Sequence, residues 1–150
     1  MTTIHLTTEI KAPIGTCFHL AKDVDVHKLS TSSTKERAIT GRTTGLCEQG
    51  DIITWQAKHF GLKQNLTVEI TQLNKPYFFA DKMLKGAFKS MQHQHSFEEK
   101  NGITIMIDKF EYEVPFGIIG KIFDKFILKN YMTRFLLERN RILKEFGETR

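Results

Sequence analysis

The 150-residue chain predicts an α+β fold in which a curved antiparallel sheet of seven strands wraps around one long C-terminal helix, with two short helices after the first strand. Three observations carry this. Between Glu36 and Val114, apolar and polar residues alternate in short runs separated by glycine, proline and asparagine, as half-buried strands joined by tight turns do. From Phe116 to Phe146 the apolar period becomes three and four, with no proline inside, as in a helix. Such a helix is ~43 Å long, whereas a compact domain of this size is ~38 Å across. The helix therefore crosses the molecule, and the strands must cover it.

In chain order, Ile4, Leu6, Thr8 and Ile10 alternate with His5, Thr7 and Glu9 as a first strand. Ala12-Pro13 ends it, and proline suits the first turn of a helix running to about Lys22. Asp23–Leu29 reads as a second short helical segment, and the Ser30–Lys35 run of hydroxyl residues as a loop. Glu36–Gly41 is a short strand. Ile53, Trp55, Ala57 and His59 share one face of the next, and Gly61 turns the chain. Leu66, Val68 and Ile70 share a face of the following strand, after which Asn74-Lys-Pro76 turns it into Tyr77–Leu84. Lys85-Gly86 leads to Phe88–Glu98, and Asn101-Gly102, the strongest hairpin signal present, leads to Ile103–Val114. Consecutive strands with short turns make an antiparallel meander with one wet and one buried face. No linker or repeat interrupts it, so residues 1–150 read as one domain.

Along the terminal helix the apolar side changes direction. Ile119, Ile122, Phe123 and Phe126 share one face, while Leu128, Met132, Phe135, Leu143 and Phe146 lie roughly opposite. A kink or break is expected near Lys129-Asn130. Either both faces pack into one core, or Gly117–Phe126 is a movable apolar lid over a cavity, with the turns at Gly61 and Gly86 across the mouth.

The net charge of +5 is modest, and the lysines are dispersed. The densest basic group, Lys121, Lys125, Lys129, Arg134, Arg139, Arg141 and Lys144, reads as a solvated helix face. Contact with an anionic membrane surface, transient at most, is the alternative. No nucleic-acid-binding pattern occurs, no apolar run is long enough to span a bilayer, and the N-terminus lacks a signal-peptide pattern. A cytoplasmic chain is expected, with Cys17 and Cys47 as reduced thiols. Oligomeric state is left open.

Alternation sorts the sixth and seventh strands. Gln92, Gln94, Ser96 and Glu98 form a polar row, so Met91, His93, His95 and Phe97 point inward; opposite them, Met106, Asp108, Phe110 and Tyr112 do the same. A two-residue turn at Asn101-Gly102 sets His95 against Asp108 and His93 against Phe110. A buried carboxylate needs a donor such as His95. This group reads as a structural polar network, as the polar anchor of a ligand in an apolar pocket, or as two metal-chelating histidines with no evident third ligand. His59 and Asp81 could extend it, although the face of Asp81 is unresolved. As chemistry, His93 or His95 with Asp108 makes a general acid–base pair. No nucleophile elbow, phosphate loop or dinucleotide fingerprint is present.

Segments spanning nearly the whole chain then resemble a known superfamily. They include Ile10-Lys-Ala-Pro-Ile-Gly-Thr-Cys-Phe18, Gly50-Asp-Ile-Ile-Thr-Trp55, His59-Phe-Gly61 and Pro76-Tyr-Phe-Phe-Ala-Asp81. The later ones are Gly86-Ala-Phe-Lys-Ser-Met-Gln-His-Gln-His-Ser-Phe97, Thr104-Ile-Met-Ile-Asp108 and Tyr112-Glu-Val-Pro-Phe-Gly-Ile-Ile-Gly120. Their pattern is similar to the helix-grip (SRPBCC) superfamily of START-type lipid-transfer domains, plant pollen allergens and polyketide cyclases/dehydrases, in a branch of small bacterial single-domain proteins. The resemblance implies a ligand cavity between sheet and helix. It is compatible with binding or transport of a small hydrophobic molecule (lipid, sterol-like or polyketide-like) and, alternatively, with a cyclase/dehydrase-type enzyme. No cofactor or metal is expected. The candidate ligand-binding residues are Trp55, His59, Asp81, Met91, His93, His95, Phe97, Met106, Asp108, Phe110, Tyr112, Ile119, Ile122, Phe123 and Phe126; the acid–base candidates are His93, His95 and Asp108.

Overall fold

A computed structural model describes residues 1–149. The elements are β1 (Thr2–Ile10), α1 (Ile14–Lys22), α2 (Val24–Ser30), β2 (Arg37–Gly41), β3 (Ile52–His59), β4 (Leu62–Asn74), β5 (Phe78–Lys85), β6 (Ser90–Lys100) and β7 (Ile103–Glu113). The C-terminal helix comes next as α3 (Gly117–Phe123), a π-helical turn (Asp124–Leu128) and α4 (Lys129–Glu148). The seven strands form one sheet in the order β1-β7-β6-β5-β4-β3-β2, antiparallel throughout. The meander is as expected, and β1 closes on its last strand. His95 pairs with Asp108 and His93 with Phe110, the register set by the Asn101-Gly102 turn.

Two apolar clusters fill the concave side. One joins Ile53, Trp55, Val68, Ile70, Met91 and Phe110 to Met132 and Leu136 of α4. The other packs Phe18 and Leu20 of α1 with Phe79, Phe97, Met106 and Leu143. α2 is capped by the Asp23 side chain, which accepts from the backbone of Asp25 and Val26. α4 makes its close approaches to β1, α1 and α2. Its buried stripe is Met132, Leu136, Arg139, Asn140, Leu143 and Gly147. No helix among the described residues is long and apolar enough to cross a membrane.

The direction change in the terminal helix lies at the π-helical turn, just before the expected Lys129-Asn130 position. A π turn inserts a residue into the helical ladder and rotates the downstream part of the helix. The face ahead of it is a correction to the sequence reading. Ile119, Ile122 and Phe126 do not face the core; they are 74%, 54% and 67% exposed. The residues that α3 and the π turn bury are Gly120 and Asp124. The physical reason is local. A Cβ on Gly120 would lie 1.9 Å from the Pro115 carbonyl oxygen, so only glycine permits that approach. One turn later the Asp124 carboxylate accepts hydrogen bonds from the Tyr112 and Thr2 hydroxyls. Burial, and then the Asp124 carboxylate, push the Tyr112 phenol above its ordinary range, which keeps it a donor. These ties orient the helix with its isoleucines outward.

A segment held by so few buried contacts opens more readily than one packed along its length. Amides of 117–126 are therefore expected to exchange faster than those of 133–143 in the free protein. Hydrogen exchange read by mass spectrometry checks this, and equal protection of the two halves would contradict it.

Candidate functional site

Between sheet and terminal helix lies a cavity of about 570 Å³. Its walls are mainly apolar, with Ile53, Trp55, Ala57, Val68, Ile70, Phe79, Met91 and Phe110 from the sheet and Tyr131, Met132, Phe135 and Leu136 from α4. Ala21–Val24 and Cys47 line one end. The other end is lined by Phe60 and Leu62 at the β3–β4 turn, Ala87 and Phe88 at the β5–β6 turn, and Pro115, Phe116, Gly120 and Phe123. The Phe60 ring meets Phe123 at 5.7 Å and Tyr131 at 4.5 Å between centroids.

One wall is polar. Adjacent inward positions on β6 bring His93 and His95 to 3.8 Å between ring centroids, and β5 sets Asp81 opposite His93. Asp81 thus faces inward, resolving the orientation that alternation left open. Asp108 on β7 has no solvent exposure and three hydrogen-bond donors that satisfy it. His93 donates from Nε2 to Oδ1 at 2.7 Å, Arg139 donates to Oδ1 at 3.2 Å, and Asn140 donates to Oδ2 at 2.7 Å. His95 Nδ1 lies 3.4 Å from the same Oδ1, so the nearest histidine donor is His93 rather than the expected His95. His95 donates from Nε2 to Asp81 at 3.2 Å, stacks on Phe79 at 4.0 Å, and has Arg139 Nη2 3.5 Å from Nδ1.

The electrostatics reflect burial and pairing. Burial alone would raise the Asp108 carboxyl, but the hydrogen bond from His93, the nearness of His95 and the Arg139 charge hold it well below its usual range. Asp81 is held down in the same way, chiefly by His95. His93 is pushed down to about 4 by burial and by its neighbour His95, against the pull of Asp108. His93 is therefore neutral at pH 7, with its proton on Nε2. His59, also lowered by burial, hydrogen-bonds the Tyr131 hydroxyl at 2.6 Å.

The predicted residues separate into those that line the cavity and those that do not. Trp55, His59, Asp81, Met91, His93, His95, Phe110 and Phe123 line it. Phe97 and Met106 lie in the second apolar cluster, Asp108 sits behind the histidines, and Tyr112 is buried beneath α3. Ile119, Ile122 and Phe126 face outward. Arg139, assigned from sequence to a solvated basic face, is instead 3% exposed and paired with Asp108. Its position was legible. It falls three residues after Leu136 and four before Leu143, within the apolar stripe. Three further polar groups on the lining carried no sequence signal. Glu36 is buried and bound to His27 at 2.6 Å, beside Trp55. Burial pushes the Cys47 thiol up to about 12, which makes it a poor nucleophile. Lys22 is buried with no hydrogen-bond partner for Nζ among the described residues; Glu48 lies 3.8 Å away, and burial lowers its pKa.

Asp81, His93 and His95 also have ligand atoms within 4.8 Å of one another, a donor set suited to a divalent cation. Each already has an internal partner, and the Arg139 guanidinium beside His95 opposes added positive charge.

The chain matches no protein-family profile and no curated protein. Solved structures do match over nearly its whole length. TTHA0849 from Thermus thermophilus is similar at TM-score 0.79 and 18% identity, over 96% of this chain and 95% of that one. A START superfamily protein from Mycobacterium smegmatis matches at 0.72 and 13%, covering 97% and 96%. Ginseng major latex-like protein 151 from Panax ginseng matches at 0.68 and 18%, covering 97% of each. At these identities the likeness establishes the fold, and the chain has the helix-grip fold.

Two outcomes are expected from the polar wall. Arg139→Met leaves a buried carboxylate without its cation and is expected to destabilise the protein by about 3–5 kcal/mol, read as a lowered urea midpoint. The second concerns pH. His93 binds its proton less readily folded than unfolded, so unfolding takes up a proton between the folded value of about 4 and the ordinary 6.5. Stability is complete above 6.5 and falls as pH drops through that window, by roughly 3 kcal/mol at full size. Denaturation at pH 7 and pH 5 should show the loss in the parent and a smaller one in His93→Gln, which keeps a donor without titrating. An equal loss in both would assign the slope to other groups.

Proposed function

We propose that the chain binds or transports a small hydrophobic molecule (lipid, sterol-like or polyketide-like) in the cavity between sheet and terminal helix. The observation that carries this reading is a space of about 570 Å³ with a mainly apolar lining and a few polar groups, the Asp81, His93 and His95 cluster chief among them. Ligand sites of this kind measure roughly 300–1,000 Å³ and use a few polar groups to orient an apolar body. A filled, dry interior, as a module without a small ligand would have, does not fit that volume. The ligand's apolar part lies against Trp55, Met91, Phe110 and Phe135. A hydroxyl or carbonyl at one end meets Asp81 and His95.

Native mass spectrometry of gently purified protein, with displacement of anilinonaphthalene sulfonate or a fluorescent fatty acid, tests the proposal. A co-purifying mass or saturable probe binding is expected, and Ala57→Phe, which fills part of the cavity, should weaken the probe by about tenfold or more. A chain that is always empty and binds no apolar probe would end this reading.

A second reading, catalysis of cyclisation, dehydration or isomerisation, is favoured by the position of His95. It lines the cavity between two carboxylates and a guanidinium. With its proton on Nε2 toward Asp81, Nδ1 accepts from Arg139; on gaining a proton, Nδ1 turns to Asp108. A proton taken from carbon next to a bound carbonyl would be held in this way. His93 is the poorer base, with Nε2 committed and its pKa near 4. Asp108 has no exposure and acts only by orienting the histidines. His95→Gln should remove turnover of such a compound and leave probe affinity nearly unchanged.

A further inference from the structure

α3 is an amphipathic helix turned inside out. A surface helix ordinarily buries its apolar stripe and wets its polar one. Here Gly120 and Asp124 face the body, while Ile118 and Ile119 are each 74% exposed and Phe126 67%. The patch continues across the cavity mouth. Phe116, 83% exposed, precedes the helix, and Phe60 and Leu62 stand on the β3–β4 turn, with Phe60 touching Phe123. Phe60 and Phe116 both hold left-handed backbone, φ 52° and 69°, which is strained for an aromatic residue. Strain of this sort persists where the surroundings enforce it, and it concentrates at binding surfaces. Continuous apolar surface on this scale marks an interaction site.

The charges on the patch have one sign. Lys121, Lys125 and Lys129 are exposed along it, and the only acid between Phe116 and Lys129, Asp124, is buried. Lys58 and Lys63, paired across the β3–β4 hairpin, add exposed cations beside Phe60.

We propose that α3 and the β3–β4 turn form a docking surface for an anionic lipid bilayer, with the isoleucines and phenylalanines entering the interface and the lysines contacting phosphate headgroups. Exposed apolar side chains among lysines are the composition of helices that lie in a membrane surface. A second copy of this chain fits less well. A two-fold contact sets a patch against itself, which would bring the Lys121, Lys125 and Lys129 cations of the two copies together. Docked this way, the cavity end lined by Phe60, Phe116 and Phe123 opens toward the lipid. The docking does not depend on what the cavity holds.

Flotation with phosphatidylcholine vesicles, and with vesicles also containing phosphatidylglycerol, tests it directly. The protein should float with the anionic vesicles, release as salt rises, and stay behind with the neutral ones. Each of Lys121→Gln and Lys125→Gln should weaken binding by about fivefold. Ile118→Asp with Ile119→Asp should abolish it while leaving circular dichroism and probe binding in the cavity as in the parent, which separates this surface from the cavity reading. Failure to float with the anionic vesicles overturns the proposal. So does binding that ignores salt and lysines, or a concentration-dependent dimer in ultracentrifugation that Ile119→Asp dissolves.

Discussion

The arrangement depends on one carboxylate. Asp108 is without exposure, and an ionised group so placed costs several kcal/mol unless every lone pair is met. Its donors come from two directions, His93 from the sheet and Arg139 and Asn140 from α4. Sliding α4 along the sheet, or turning it by one residue, separates at least one donor from its acceptor. The helix is thereby fixed in rotation and height. This bears on the cavity, whose helical wall, Tyr131 to Leu136, lies one to two turns before Arg139. A purely apolar helix could settle inward to fill such a space, since hydrophobic contact is non-directional. Directional bonds at Arg139 and Asn140 hold it in place, and the space stays open.

The strands and their register were legible because period-two alternation and a two-residue asparagine-glycine turn leave few alternatives. That is why His95 against Asp108 and His93 against Phe110 could be read directly. The face of Asp81 could not, because β4 and β5 are joined with register shifts, one of them between Ile70 and Gln72, and a bulge breaks parity. On the helix the reading failed at both ends for one reason. Apolar residues were assumed to face inward and charged ones outward. At Arg139 a buried partner on another element reversed that assumption, and at Ile119, Ile122 and Phe126 the reversal came from Gly120 and Asp124. Helical spacing put Arg139 within the apolar stripe, but partners at long sequence separations leave no local mark of what a buried charge binds. Asp124 and Thr2 are 122 residues apart, and Arg139 and Asp108 are 31.

The cavity's densest polar group lies on one wall, with Lys22, Glu36 and the His59–Tyr131 pair elsewhere on a mainly apolar lining and an apolar rim at the end lined by Phe60, Phe116 and Phe123. Asp108, kept charged, forms the backing, while His93, kept neutral, His95 and Asp81 reach the interior. A guest with a single oxygen-bearing end and a long apolar remainder matches this division better than one polar along its length, because each unmatched polar group brought into such a space costs about 1–3 kcal/mol.

The π-helical turn at Asp124–Leu128 makes two rotations independent within one continuous helix. One residue added to or removed from a helix changes the facing of everything beyond it by about 100°. Upstream of the turn, the facing of α3 is set by Gly120 and Asp124; downstream, that of α4 is set by Arg139 and Asn140. The turn absorbs the mismatch between the two. Inherited change can therefore revise the outward side of α3 residue by residue, or shift its phase with an insertion at the turn, without disturbing the wall that α4 presents to the cavity.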